Sequence, residues 1–276
     1  MVKKIRVEFI DSKTARAFVQ RYHYSGKWVN NSQLHFGAFL GGRLHGVMQF
    51  EPSMDKRRMK GTIPGTKLNE FLELNRMAFD DVLPKNSESR CLAVALRIIK
   101  KQYTHIKWVV TFADAAQCGD GTIYRAAGFK LLSIKKNDQI WEAPTRERFS
   151  RLSLTDKTST KSKRIARMSV TKGSHIKRDG AASMKQFKAA GFVPVEGFQI
   201  KYIYFLDRSL ESLTKTLPFS EIARVKAGMY KGKRAASVEA AHLPFQAESS
   251  GAVPTAALHF NPPIKEDGEE EGQTSI

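Results

Sequence analysis

The chain has 276 residues, 41% of them apolar and 10% aromatic, enough to bury one sizeable core or one core with an appendage. Its 46 Lys and Arg against 27 Asp and Glu leave a formal charge of +19, an excess suited to a polyanion: nucleic acid first, an anionic membrane surface second. No apolar run reaches the ~20 residues a bilayer span needs, and the N-terminal Met-Val-Lys-Lys-Ile-Arg lacks the apolar region of a secretion signal, so the sequence predicts a cytoplasmic, non-membrane protein.

In chain order, Arg6–Ile10 reads as a short strand. Ser12 is placed to cap a helix reaching about Tyr24, with Phe18, Val19 and Tyr22 on one face. His35–Leu40, Gly41-Gly42 and Leu44–Phe50 predict a β-hairpin. Glu51–Asn69 is a Gly/Pro-punctuated loop carrying Lys56, Arg57, Arg58 and Lys60. Phe71–Phe79 alternates as a strand, with Leu72, Leu74 and Arg76 on one side and Phe71, Glu73, Asn75 and Met77 on the other. The helical spacing of Leu92, Ala95, Leu96, Ile99 and Tyr103 predicts an amphipathic helix. Trp108–Ala113 is an apolar run of the kind buried on both faces. A short helix bounded by Gly119 and Gly128 precedes a strand at Lys130–Lys135.

Beyond residue 143 the pattern weakens. From Lys157 to Arg178 the chain holds eight Lys and Arg and no acid, and reads as a basic arm. A helix at Ala181–Ala190 and a strand at Tyr202–Leu206 follow. Tyr-Arg-Ala-Ala-Gly-Phe at 124–129 is echoed by Phe-Lys-Ala-Ala-Gly-Phe at 187–192, which reads as the same helix cap used twice rather than a repeat. Residues after about 230 read as disordered, and the last sixteen set one lysine against five carboxylates. The expected organisation is a core at 1–142, a basic insertion at 143–180, a helix and strand completing the core at 181–210, and an extension at 211–276.

This order predicts an α/β fold with a mixed central sheet, whose ligands sit beyond strand C-terminal ends. Asp114 ends the buried strand and either caps the next turn or does chemistry. The Gly-rich turn Cys118–Thr122 delivers Tyr124 into the following helix, as a core ring or as one aimed at Asp114. Tyr22, His23, Tyr24 and Ser25 close the first helix with stacking rings, an imidazole and a hydroxyl, or simply end it before Gly26. Arg76, half-buried in an apolar strand, calls for a carboxylate or an anionic ligand, and Asp114 is the candidate partner. Cys91 and Cys118, with no Cys-x-x-Cys or His-x-x-x-His pair in the chain, fit a reduced protein without structural zinc or zinc-deaminase chemistry.

From about Arg6 to Lys135 the succession of a strand with Arg76, an amphipathic helix, a strand ending in Asp114, a Gly-rich turn and Tyr124 resembles the Mom proteins of Mu-like phages. Tyr22-His23-Tyr24-Ser25 resembles that family's His-Tyr motif. These proteins in turn resemble the GNAT acetyltransferases, which implies a GNAT-like, mixed but largely antiparallel central sheet with helices on both faces. The resemblance implies modification of phage DNA: conversion of the adenine N6-amine to a carbamoylmethyl-type derivative that protects it from restriction. It implies an active site of Arg76, Asp114, Tyr124, His23, Tyr24 and Ser25, and double-stranded DNA as partner. Iron ligands would come from residues such as His23 and Asp114, although no facial triad is evident and no metal site is assigned.

GNAT enzymes hold coenzyme A on a Gly-rich loop, whereas the corresponding Pro84–Cys91 stretch has no glycine. Lys85, Asn86, Ser87, Ser89 and Arg90 are the donor-binding candidates, with Ser87 or Ser89 capping the helix and Glu88 opposing an anion. The donor is expected to be acetyl-CoA or another small acyl or glycyl group. Tyr22, Tyr24 and Trp28 are candidates to stack on an extruded base, and Lys56, Arg57, Arg58, Lys60, Lys161, Lys163, Arg164 and Arg167 to bind the DNA backbone. The rival readings are a GNAT acetyltransferase for protein or RNA, a non-catalytic DNA-binding protein, and an N6-adenine methyltransferase suggested by Asn261-Pro262-Pro263-Ile264. The oligomeric state is open, a homodimer included.

Overall fold

The computed structural model describes residues 4–53, 59–114, 119–155 and 184–228. Ten strands are found among them: β1 (Arg6–Phe9), β2 (Leu34–Leu40), β3 (Arg43–Glu51), β4 (Phe71–Phe79), β5 (Trp108–Asp114), β6 (Lys130–Lys136), β7 (Ile140–Glu142), β8 (Arg148–Ser150), β9 (Val193–Pro194) and β10 (Phe198–Phe205). The helices are α1 (Ser12–Tyr22), α2 (Ser87–Gln102), α3 (Thr122–Ala126), α4 (Arg151–Thr155), α5 (Met184–Ala189) and α6 (Ser220–Arg224).

Seven strands form one mixed sheet in the order β1-β2-β3-β4-β5-β10-β6. Every neighbouring pair is antiparallel except β4–β5, which is parallel. The fold is therefore α/β with a largely antiparallel sheet, as expected. The β2–β3 hairpin closes through Gly41 and Gly42, both at positive φ, the backbone a two-residue turn demands. Leu92, Ala95, Leu96 and Ile99 of α2 pack on one sheet face against Leu72, Leu74 and Val109. On the opposite face Phe18 and Val19 of α1 cover Val47 and Ala78, while Ile63 of the β3–β4 loop covers Phe71, Trp108 and Val110.

A separate three-stranded sheet, β8-β7-β9, lies between β6 and β10 in the chain. Its own core joins Trp141 and Phe149 to Leu154, Phe187 and Phe192. The two similar hexapeptides close alike. Phe129 N–H donates to the Tyr124 carbonyl and Phe192 N–H to the Phe187 carbonyl, both at 3.0 Å, around Gly128 and Gly191 at positive φ.

Four expectations change. The α1 cap is Asp11, not Ser12: the Asp11 carboxylate accepts from Thr14 N–H at 2.9 Å because its extended backbone aims the side chain at the third helical residue. The helix stops at Tyr22 rather than Tyr24. In β4 a bulge at Asn75 breaks the alternation, so Met77 joins the α2 side and Arg76 turns to the α1 side with Glu73 and Asn75. Finally, β5 is not buried throughout, since Phe112 is 37% exposed. The basic arm at 157–178, Cys118, the acidic tail and Asn261–Ile264 lie outside the described residues.

Candidate active site

The parallel pair of the large sheet opens at its C-terminal end. The β4–β5 ladder runs from Phe71–Trp108 to Leu74–Thr111 and stops, with the Thr111 hydroxyl donating to the Leu74 carbonyl at 3.0 Å where the strands part. Beyond that point β4 follows β3 as far as Phe79, opposite Gly46, and β5 follows β10 as far as Asp114, opposite Gln199. The Asn75 bulge helps to turn β4 away. The result is a wedge with Asn75 and Arg76 on one wall and Phe112 and Asp114 on the other.

Arg76 holds the loop that follows α1. Its Nε donates to the Lys27 carbonyl at 2.9 Å and a terminal nitrogen to the Asn75 carbonyl at 2.6 Å. Its hydrogen bonds go to two main-chain oxygens, while its charge acts on the buried carboxyls of Glu51 and Glu73. The tie brings His23 and Ser25 to the wedge. His23 Nδ1 lies 2.8 Å from the Ser25 hydroxyl and accepts the Ser25 N–H at 3.2 Å, which leaves the ring proton on Nε2 of the neutral tautomer. Burial, and next the Arg76 charge, push the His23 pKa down to about 3. The imidazole is neutral at physiological pH and keeps an Nε2–H to donate.

Of the predicted stacking residues, Tyr24 and Trp28 are exposed, at 56% and 41%. Tyr24 lies against His23, with ring centroids 4.3 Å apart, and Trp28 Nε1 donates to Asn30 at 3.1 Å. Tyr22 is different: its ring packs on Phe18 with centroids 4.4 Å apart and carries Arg21 over its face.

Tyr124 sits in α3 on the α2 side of the sheet, packed against Tyr202 and Phe129 at 5.7 and 5.8 Å between centroids. The preceding turn is fixed by Gly121 at φ 84°, where a Cβ would strike the Tyr202 ring. The Tyr202 hydroxyl donates to the Asp120 carbonyl. Burial raises its pKa further above the ordinary phenol value.

At the start of α2 neither serine caps the helix as expected. Ser87 Oγ donates back to the Pro84 carbonyl at 2.5 Å and Ser89 Oγ to the Asn86 carbonyl at 3.2 Å. Asn86 occupies the cap position in the left-handed region with no side-chain cap bond. Lys85 and Arg90 are exposed at this end, and Glu88 lies in the first turn. Burial, then the Glu88 charge, push the Cys91 thiol up to about 11, which makes it a packing residue rather than a nucleophile. Lys60 is exposed, whereas Lys56, Arg57, Arg58, Lys161, Lys163, Arg164 and Arg167 lie outside the described residues.

Residues the sequence did not single out complete the α1-side wall. Glu51 and Glu73 face each other across β3 and β4. Burial raises both carboxyls, and Glu73 adds to the effect on Glu51. Ser53 and the charges of Lys201 and Arg76 pull Glu73 partly back. The alternation of Glu73 and Asn75 in a central strand was a legible signal for this wall. Among the described residues no group of three His, Cys, Asp or Glu side chains is placed to hold a metal ion. The described residues around His23 and Asp114 thus do not assemble the donor set that iron needs.

Residues 4–221 match the family described as the Mom protein family. A curated relative, methylcarbamoylase Mom of Escherichia phage Mu, is 40% identical over 131 residues, which are 47% of this chain and 54% of that protein. The chain thus spans about half the length of that relative. Among solved structures, the chain is similar to a Bacillus subtilis acetyltransferase in complex with CoA, at 9% identity and a TM-score of 0.37 over 73% of this chain and 99% of that one. It is similar also to the ribosomal-protein-S18-alanine N-acetyltransferase of Escherichia coli, at 10% identity and a TM-score of 0.38 over 77% and all of the respective chains.

Proposed function

The chain belongs to the Mom protein family, and on that premise we propose that it is a transferase acting on adenine in double-stranded DNA. The N6-amine becomes a carbamoylmethyl-type derivative, and the modified phage DNA escapes restriction in the host cytoplasm. The observation that carries the proposal is the β4–β5 wedge, with Asp114 closing one wall and Arg76 holding His23 and Ser25 beside the other.

An exocyclic adenine amine is a weak nucleophile, because its lone pair is delocalised into the ring. The base must leave the duplex, be held, and lose a proton as the new bond forms. Asp114, half-buried at a strand end, orients the amine or takes its proton. Neutral His23, with Ser25 on Nδ1, offers its Nε2 proton as a hydrogen-bond donor, and the proton taken by Asp114 leaves to solvent. Tyr124 acts from the α2 side of the sheet as donor to the leaving group. Arg76 is a positioning residue for the His23 loop. Tyr24 and Trp28 at the rim meet the opened duplex.

The donor is a small acyl carrier: acetyl-CoA by itself would leave an N6-acetyl amide and release the CoA thiol, whereas a glycyl carrier also brings the nitrogen that a carbamoylmethyl group contains. The carrier's anionic part lies at the start of α2, where Lys85, Asn86, Arg90 and the main chain around Ser87 and Ser89 present donors and positive charge. Lys60, with the basic residues of 56–58 and 161–167, meets the phosphates. In this scheme the large sheet carries the chemistry, with Ile222 and Ala227 packed into its core, α5 and β9 go with the small sheet, and the basic residues of 143–180 meet DNA.

The test is to express the chain in bacteria, digest host DNA to nucleosides and search by mass spectrometry for an altered deoxyadenosine, with Asp114→Asn alongside. A new adenine species absent from the variant supports the proposal, and its mass gives the transferred group. Unmodified DNA from soluble protein, together with acetyl-CoA turnover without DNA, overturns it in favour of a protein or RNA acetyltransferase.

A further inference from the structure

Phe112 is out of place for a residue of its kind. It stands in β5, with β4 on one side and β10 on the other, yet it is 37% exposed, while Trp108 and Val110 on the same face of the same strand are fully buried. A large apolar ring left open at the centre of a sheet, inside a wedge, is where a flat ligand is received.

Its surroundings are polar and directional. Lys201, its cross-strand neighbour on β10, reaches Thr62 at 3.2 Å, and its charge acts on Glu73 in β4. The lysine therefore crosses over β5 beside the Phe112 ring. On the β4 side, Asn75 is fixed by donating from Nδ2 to Ser32 Oγ at 2.8 Å. The same side chain also hydrogen-bonds the buried Glu51 carboxyl, so Asn75 is held within the wall. Asp114 follows Phe112 by two residues, which in a strand sets it on the same side. An apolar platform beside a carboxylate matches an aromatic ring bearing an amino group, since the ring stacks and the amine donates.

We propose that Phe112 is the platform on which the extruded adenine is received, its ring stacked on the phenyl face and its amine directed to Asp114. This rests on the DNA-modification reading above. It moves the base from the rim rings to the floor of the wedge, and Tyr22, already packed between Phe18 and Arg21, has no part in it.

The test measures binding of the full chain to two labelled duplexes. One carries an adenine opposite an abasic site, and the other lacks the base at both positions. The protein is expected to prefer the adenine duplex about 10-fold, the scale of one base stacked on one aromatic ring. Phe112→Ala should lose that preference while binding the baseless duplex as before, and Phe112→Trp should keep it. Equal preference in the protein and in Phe112→Ala overturns the platform and leaves adenine modification standing. An absence of preference in the unaltered protein overturns the platform in every case. Nucleoside mass spectrometry of DNA exposed to the same preparation then decides whether the modification reading falls with it.

Discussion

On the α2 side of the large sheet, Leu72, Leu74 and Val109 meet Leu92, Leu96 and Ile99 in a continuous apolar layer. On the α1 side the same strands present Glu51, Glu73, Asn75, Arg76 and the open ring of Phe112. Strand alternation makes two faces of one sheet independent of each other, so one can stay apolar while polar groups interrupt the apolar packing of the other. The polar face bears desolvated carboxyls and an unpartnered amide oxygen, features that weaken a fold and equip a site.

Four changes break or sharpen this contrast. Asp114→Asn is expected to lower adenine modification by at least two orders of magnitude, within the range general base catalysis supplies, and to leave duplex affinity within about two-fold, as phosphate contacts dominate binding. Nucleoside mass spectrometry and a binding titration check both halves. Leu96→Ala, on the apolar face, should cost about 2–5 kcal/mol of stability in chemical denaturation through the cavity it leaves. The turnover of the protein that remains folded should be unchanged.

Glu51→Gln should act in the opposite direction. A carboxyl whose pKa is raised above its unfolded value contributes stability below that value and loses it as pH rises. The neutral amide should therefore raise the melting temperature at pH 7, on the order of 2–4 °C for each kcal/mol regained. The gain should vanish below about pH 4.5, the unfolded value, where both states are protonated. Thermal melts across pH decide it, and a destabilised variant at neutral pH would mean that the charged carboxylate is held by contacts stronger than its burial.

The fourth change concerns His23. Its pKa is depressed from 6.5 to about 3, so the unfolded chain takes up a proton in that window and the folded one does not. Stability should fall as pH drops from 6.5 toward 3, and His23→Gln should flatten that part of the profile.

Much of the frame is legible in the amino-acid sequence. The 3.6-residue spacing of Leu92 to Ile99 places the α2 face, Gly41-Gly42 places the hairpin, and the twin Ala-Ala-Gly-Phe segments announce two identical caps. The small sheet is not legible, because its strands of two and three residues are too short for alternation to register. Nor are the partners of Ser87 and Ser89, since a hydroxyl before a helix can donate backward as readily as it accepts.

The candidate site divides in the same way. Arg76, Asp114 and the His23 cluster are visible as residue types at strand and helix ends, where ligands of open sheets collect. That Arg76 holds main-chain oxygens is not visible, because its direction depends on a one-residue bulge at Asn75.

By itself, then, the sequence determined which segments are the longer strands and helices, which helix face is apolar, and that the chain's charge suits a polyanion. These follow from local periodicity and total charge, which no fold can alter. Only the tertiary structure decided where the parallel strands part, which face of β4 each residue occupies after the bulge, and that Phe112 stays open while its neighbours are covered. Those depend on how far one strand pairs with the next and on what packs over it, contacts between residues distant in the chain.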